Sequence, residues 1–334
     1  MKSNCFTALM AGLFLLLADI FNPDLVYSER PVTVATIGNT PALTDNDNLQ
    51  ATVDYVISFW EKELKKVLKA RPDLIVLPEF ADLSIAGVEY MKVRGNQVLD
   101  FFSSVARENK CYIAFGMGRQ DSMGLWRNSC MVLNRKGAIA GIYDKNYPTI
   151  SEIQTGIRAS DDIAVIDCDF GKVGVAICFD LNFDELLAKY SSTETDIIIY
   201  PSMSHGGVLQ NLWALSCNSY FIGSIYRDFP SEVRNPLGKV IATTSKAADY
   251  AIANINLDYK TVSLANNLEK LVALKSKYGN TVQISETSRN GRVIVTSSNK
   301  SVSSEQMIRE FNIEPFNEYL DRARSIRTED MPAD

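Results

Sequence analysis

Three stretches of the chain each end in a side chain that can take part in bond cleavage. Leu74-Ile75-Val76-Leu77-Pro78 is followed by Glu79, a run ending Tyr143-Asp144 by Lys145, and Val173-Gly174-Val175-Ala176-Ile177 by Cys178. A thiol can attack a carbonyl carbon, a carboxylate can carry its proton, and an ammonium can hold the negative charge that develops on oxygen. Those are the parts needed to hydrolyse an amide or a nitrile. His205 is the only histidine. A Ser-His-Asp triad, a Cys-His dyad and most zinc sites are therefore excluded unless His205 serves in them. With no other histidine to shuttle protons, Glu79 is the candidate general base and acid.

The elements around these residues must bring them to one place. Residues 173–177 are small or apolar and read as a buried strand. Asn182, with Glu185 three residues on, predicts the capped start of a helix through Leu186, Leu187 and Tyr190. That helix would turn its positive end toward Cys178 and favour thiolate over thiol. Residues 74–77 form another buried strand, and Glu79 falls at its carboxyl end, where open α/β sheets keep their ligands. A hairpin of 129–134 with 138–143 delivers Lys145, and one of 163–167 with 172–177 ends at Cys178.

Elsewhere strands and helices alternate. Residues 31–37 are a strand by β-branched content, and 49–69 a helix with Val53, Val56, Trp60 and Leu64 on one face. A helix over 97–109 and a strand over 111–116 follow. Later come strands at 196–202, 221–226, 240–243 and 250–255, with a helix over 209–218. This alternation with inserted hairpins gives an α/β class with a mixed sheet. Cys168 and Cys217 read as core residues, and no cysteine pair has the spacing of a zinc site, so no metal and no cofactor is expected.

Residues 74–80, Tyr143-Asp144-Lys145 and 173–183 resemble, in order and at suitable separations, the three signatures of the nitrilase superfamily of carbon–nitrogen hydrolases. The resemblance covers about residues 31–258 and includes Asn235-Pro236-Leu237-Gly238-Lys239-Val240, which is similar to that family's late turn. It implies a four-layer αββα sandwich, a Glu79-Lys145-Cys178 triad and a thioester acyl-enzyme on Cys178. Lys145 would stabilise the tetrahedral oxyanion, with the Phe179 N–H as a second donor. Glu152, seven residues after Lys145, resembles the family's second glutamate that helps to position substrate. His205 lies in the loop that lines the pocket mouth in relatives, either touching substrate or satisfying local hydrogen bonds. Relatives commonly form homodimers, and a homodimer is expected here. Asn182 and Asp184 stand where the family often has Arg and Pro, so substrate contacts are where this chain departs from its relatives.

The same residues leave other readings open. Apolipoprotein N-acyltransferases use the same triad to move a fatty acyl group to a protein amine, and Arg30-Pro31-Val32-Thr33-Val34-Ala35 resembles the start of their catalytic domain. A catalytically silent binding protein of this fold is a third reading, against which the intact triad argues. A net charge of −6 gives no reason to expect a nucleic acid partner. The expected partner is a small-molecule amide or nitrile.

Three segments are expected. Residues 1–30 hold an apolar run at 6–18, too short to span a bilayer, that fits a secretory signal with Val26 and Ser28 placed for cleavage, or else a membrane-surface anchor. Export or membrane association follows from either. Residues 31–258 are the catalytic domain. Residues 259–334 form an extension with a helix over 262–275, a hairpin about Asn290-Gly291, two short helices and a partly disordered tail over 324–334.

Overall fold

A computed structural model describes residues 30–43, 48–285 and 291–331. The apolar run at 6–18 and the cleavage site lie outside the described residues. The chain runs β1 (Pro31–Ile37), α1 (Leu49–Leu68), β2 (Leu74–Val76), α2 (Val88–Arg94), α3 (Gln97–Asn109), β3 (Tyr112–Gln120), β4 (Trp126–Leu133) and β5 (Ile139–Asp144). It continues through α4 (Ile150–Gln154), β6 (Val165–Cys168), β7 (Gly171–Val175), α5 (Asp184–Ser191), β8 (Ile197–Ser202), α6 (Val208–Cys217) and β9 (Tyr220–Ile225). Then come β10 (Glu232–Arg234), β11 (Val240–Thr243) and β12 (Tyr250–Asn256).

These strands make two six-stranded sheets, ordered β12-β1-β2-β3-β4-β5 and β11-β10-β9-β8-β7-β6. In the first, β1, β2 and β3 are parallel and the flanking pairs antiparallel. The second repeats the plan with β7, β8 and β9 parallel. Alternate residues of each strand face opposite sides. Val34, Val76, Ala114 and Val132 meet Val175, Ile177, Ile199 and Ile222 between the sheets. Their neighbours Ala35, Ile75 and Ile113 pack outward on Val53, Val56, Trp60 and Phe102 of α1 and α3. On the other side Ala176, Ile198 and Phe221 pack on Leu186, Tyr190 and Trp213 of α5 and α6. Both sheets are buried on both faces, which is why their central strands read as unbroken apolar runs. The layers are α, β, β and α.

Residues 259–331 add β13 (Tyr259–Ser263), α7 (Leu268–Tyr278), β14 (Val282–Ile284), β15 (Arg292–Ser297), α8 (Ser304–Glu310) and α9 (Phe316–Asp330). Three strands pair in the order β13-β15-β14 around a core of their own that includes Val262, Leu274, Val293 and Ile308. The helix expected over 262–275 begins only at Leu268, because Thr261 and Val262 pair with Ile294 and Val293. Within the tail, residues 324–330 are the second half of α9, an exposed helix that buries no residue. Among the described residues no helix is long and apolar enough to cross a membrane.

Candidate active site

The carboxyl ends of β2, β5, β7 and β8 come together at one edge of the sandwich. Glu79 leaves β2 through Pro78, and Phe80 after it adopts the left-handed backbone (φ 56°). That sharp turn presses the chain onto β3, where a Cβ on Gly116 would lie 2.6 Å from Glu79 Cα and from Phe80 N. Only a residue without a side chain allows so close an approach. Lys145 follows β5, its backbone N–H donating to the Asn128 carbonyl of β4 (2.8 Å). Cys178 follows β7 and is also left-handed (φ 48°), a strained conformation for a residue with a Cβ.

Glu79 and Lys145 are both buried, 2% and 1% exposed. Lys145 Nζ donates to Glu79 Oε1 (2.9 Å) and Glu152 Oε2 (2.8 Å). Asn128 stands across from it, its Nδ2 donating to Glu79 Oε1 and to Glu152 Oε1, both at 2.7 Å. Glu152 is fixed from its own side as well, because Thr149 caps α4 and donates its N–H to Glu152 Oε2 (2.7 Å). Burial alone would push the Lys145 ammonium down, but Glu79, Cys178 and Glu152 together hold it above its ordinary value. Against burial, Lys145, the Thr149 N–H and Asn128 keep the Glu152 carboxyl below the usual carboxylate range.

The remaining Glu79 oxygen, Oε2, accepts from the Met203 N–H just after β8 (3.0 Å). Cys178 is close enough to feel the charges of both Glu79 and Lys145. Burial pushes the Cys178 thiol up to about 12, the Glu79 charge adding to it and Lys145 pulling it back. The thiolate expected from a helix dipole is therefore not the resting form. Residues 178–182 form a single 3₁₀ turn, α5 starts only at Asp184, and Asn182 donates to the Phe179 carbonyl (2.9 Å) instead of capping α5.

Asp180 ties the cysteine turn to the lysine loop, a role its sequence context did not reveal. Fully buried, it accepts from the Ile177 N–H and the Tyr143 hydroxyl on Oδ2 and from the Tyr147 N–H on Oδ1, each at 2.8 Å. Burial raises its carboxyl to about 6 despite those donors. Asn128 was missed too. Asp180 stands between the apolar Phe179 and Leu181, a signal that could have found it, whereas Asn128 lies between Arg127 and Ser129 and carries none.

A cleft of about 590 Å³ opens beside Cys178 and is lined by Phe179, Tyr200, His205 and Phe229 among others. His205 Nδ1 accepts from the Gly207 N–H (3.2 Å), and its Nε2 lies 3.3 Å from Glu232 Oε2. A much smaller cavity of about 30 Å³ reaches Glu79 from the far side, past Phe80 and Met203. The six residues expected at the site thus fall into two groups. Glu79, Lys145 and the half-buried Glu152 form one cluster beside Cys178, which lines the cleft with Phe179 and His205. Among the described residues no group of three His, Cys, Asp or Glu side chains is placed to hold a metal ion.

Similar proteins share this fold. The profile of the carbon–nitrogen hydrolase family matches residues 33–225. Nitrilase homolog 2 of Dictyostelium discoideum is 25% identical over 242 residues, covering 64% of this chain and 72% of its own length. Omega-amidase NIT2-B of Xenopus laevis is 26% identical over 227 residues, covering 59% of this chain and 82% of its own. The crystal structure of a carbon–nitrogen hydrolase from Helicobacter pylori G27 superposes with a TM-score of 0.56 at 20% identity, covering 69% of this chain and 90% of that one. With its family profile, its relatives and its two-sheet architecture in agreement, the chain belongs to the carbon–nitrogen hydrolases, the nitrilase superfamily of enzymes.

Proposed function

We propose that this enzyme hydrolyses the C–N bond of a small amide through a thioester formed on Cys178. The observation that carries the reading is the Glu79 carboxylate paired with the buried Lys145 ammonium, with both charges acting on the Cys178 thiol. Glu79 Oε2 takes the thiol proton as sulfur bonds to the amide carbon and the carbonyl electrons move onto oxygen. Lys145 Nζ and the Phe179 N–H stabilise that oxyanion. When the oxyanion collapses, the C–N bond breaks, and the proton held on Glu79 passes to the departing nitrogen. Water then attacks the thioester and gives a proton to Glu79, the C–S bond breaks, and the proton returns to sulfur. The sum is amide plus water giving carboxylic acid plus ammonia. Glu152 and Asn128 act through Lys145 and Glu79 as positioning residues, because both hold the charged groups rather than the reacting atoms.

Ammonia release from a series of primary amides tests the reading. The wild-type protein should release ammonia with stoichiometric acid, and Cys178→Ala should lose activity by more than ~1,000-fold, as befits a nucleophile on the covalent path. Release by Cys178→Ala at the wild-type rate would contradict it. Transfer of the acyl group to an added amine with no free acid formed would make the enzyme an acyltransferase instead.

A further inference from the structure

The wall of the cleft beside Cys178 is largely apolar. Phe179, Leu181, Leu209, Phe229 and Pro230 stand in it beside the uncharged Asn182 and Ser204, and among the described residues no Asp, Glu, Lys or Arg lines it. His205, its one imidazole, is already turned toward Glu232, which in turn is paired with Arg234. Deeper in, the Lys145 ammonium faces two carboxylates, Glu79 and Glu152, so the cluster carries an excess of one formal negative charge.

A substrate carboxylate entering here would give up its hydration and meet no free cation. It would also approach a centre of its own sign. An alkyl or aryl group would gain by leaving water against the phenylalanine and leucine side chains. We propose that the acyl group accepted at Cys178 is uncharged and apolar, that of a medium-length alkyl or aryl-alkyl amide rather than of the monoamide of a dicarboxylic acid. This names the substrate class of the amide-hydrolase reading and rests on that reading.

Two matched pairs of compounds test the proposal on the full chain. Hexanamide and the monoamide of adipic acid have the same carbon chain and differ by a terminal carboxylate, as do hexanal and 6-oxohexanoate. An aldehyde adds the Cys178 S–H across its carbonyl to form a hemithioacetal, with no water consumed and no leaving group. Its protection of Cys178 from iodoacetamide, followed by peptide mass spectrometry, therefore reads the cleft without turnover. Hexanal should half-protect Cys178 at a concentration at least ~30-fold below that needed for 6-oxohexanoate, the order expected when one ligand must bury an unpaired carboxylate. Hexanamide should be hydrolysed with the correspondingly higher kcat/KM. The exposed Phe229 offers a second arm, since Phe229→Arg supplies the missing cation and should bring the two aldehydes to within ~3-fold of each other. Equal or better protection by 6-oxohexanoate in the wild-type protein would overturn the proposal, and so would an unchanged ratio in Phe229→Arg. Preferential protection by hexanal with neither amide hydrolysed would uphold the preference of the cleft and refute the amide-hydrolase reading.

Discussion

Cys178 sits where its own chemistry is unfavourable. Burial and the neighbouring Glu79 charge keep it a thiol at neutral pH, so the proposed attack requires a base placed beside it. The two roles proposed for Glu79, charge and base, pull in opposite directions, which makes Glu79→Gln informative. Losing the base should slow amide hydrolysis by ~100-fold or more. Losing the negative charge should at the same time lower the pKa of the thiol from about 12, because Glu79 is among the causes that raise it. Thiolate absorbance in the ultraviolet across a pH titration, set beside the rate of ammonia release, checks both. A variant with an unchanged rate, or with a thiol that titrates higher than in the wild type, would remove Glu79 from the reaction. Glu79, Lys145 and Cys178 were legible in the sequence because each follows an apolar run that had to be a strand. Asp180 and Asn128 were not, since their partners Tyr143 and Glu79 lie 37 and 49 residues away and no local pattern encodes such contacts.

At the scale of elements, the site depends on strand ends being brought closer than side chains ordinarily permit. Gly116 of β3 is where this is tightest, with the backbone of residues 78–80 occupying the space a Cβ would need. Gly116→Ala should force that turn away from β3, costing roughly 1–3 kcal/mol of stability as other overpacked positions do. Because Glu79 rides on the displaced turn, kcat should fall more than the loss of folded protein explains. Thermal unfolding combined with kcat measured well below the melting temperature separates the two effects, and a variant matching wild type in both would show that the close approach is not required. The strands of both sheets were readable from the sequence except β10, whose Glu-Val-Arg carries no apolar run. The helix after Cys178 was misplaced because Asn182 and Glu185 have the spacing of a capping box. The chain instead spends residues 178–182 on a 3₁₀ turn held from below by Asp180. Likewise Ser263 ends a strand and not a helical turn, because the partner that decides it, β15, begins at Arg292.

Over the whole molecule, the two sheets contribute unequally to the site. Glu79 and Lys145 come from the first sheet and Cys178 from the second, so the sandwich must be closed for the three to meet. The segment after Asp258 takes part in that closure. Tyr259 and Ile294 belong to the core between the sheets, and Asp258 accepts from the Ser304 N–H and hydroxyl (2.9 and 2.7 Å). A chain ending at Asp258 should therefore melt roughly 10 °C below the full chain, given the apolar area uncovered by losing two large core side chains. An equal melting temperature by calorimetry would make the extension independent of the sandwich. The family resemblance was legible through the three motifs, whereas the dependence of the sandwich on residues past 258 was not, because composition marks where a segment differs and not what it covers. The most direct test of the acyl-enzyme is to mix the protein with hexanamide, quench within one turnover, and map the peptides by mass spectrometry. A hexanoyl group should be found on Cys178 and be absent from Glu79→Gln quenched at the same time. An acyl group on any other residue, or steady ammonia release with Cys178 never acylated, would contradict the mechanism.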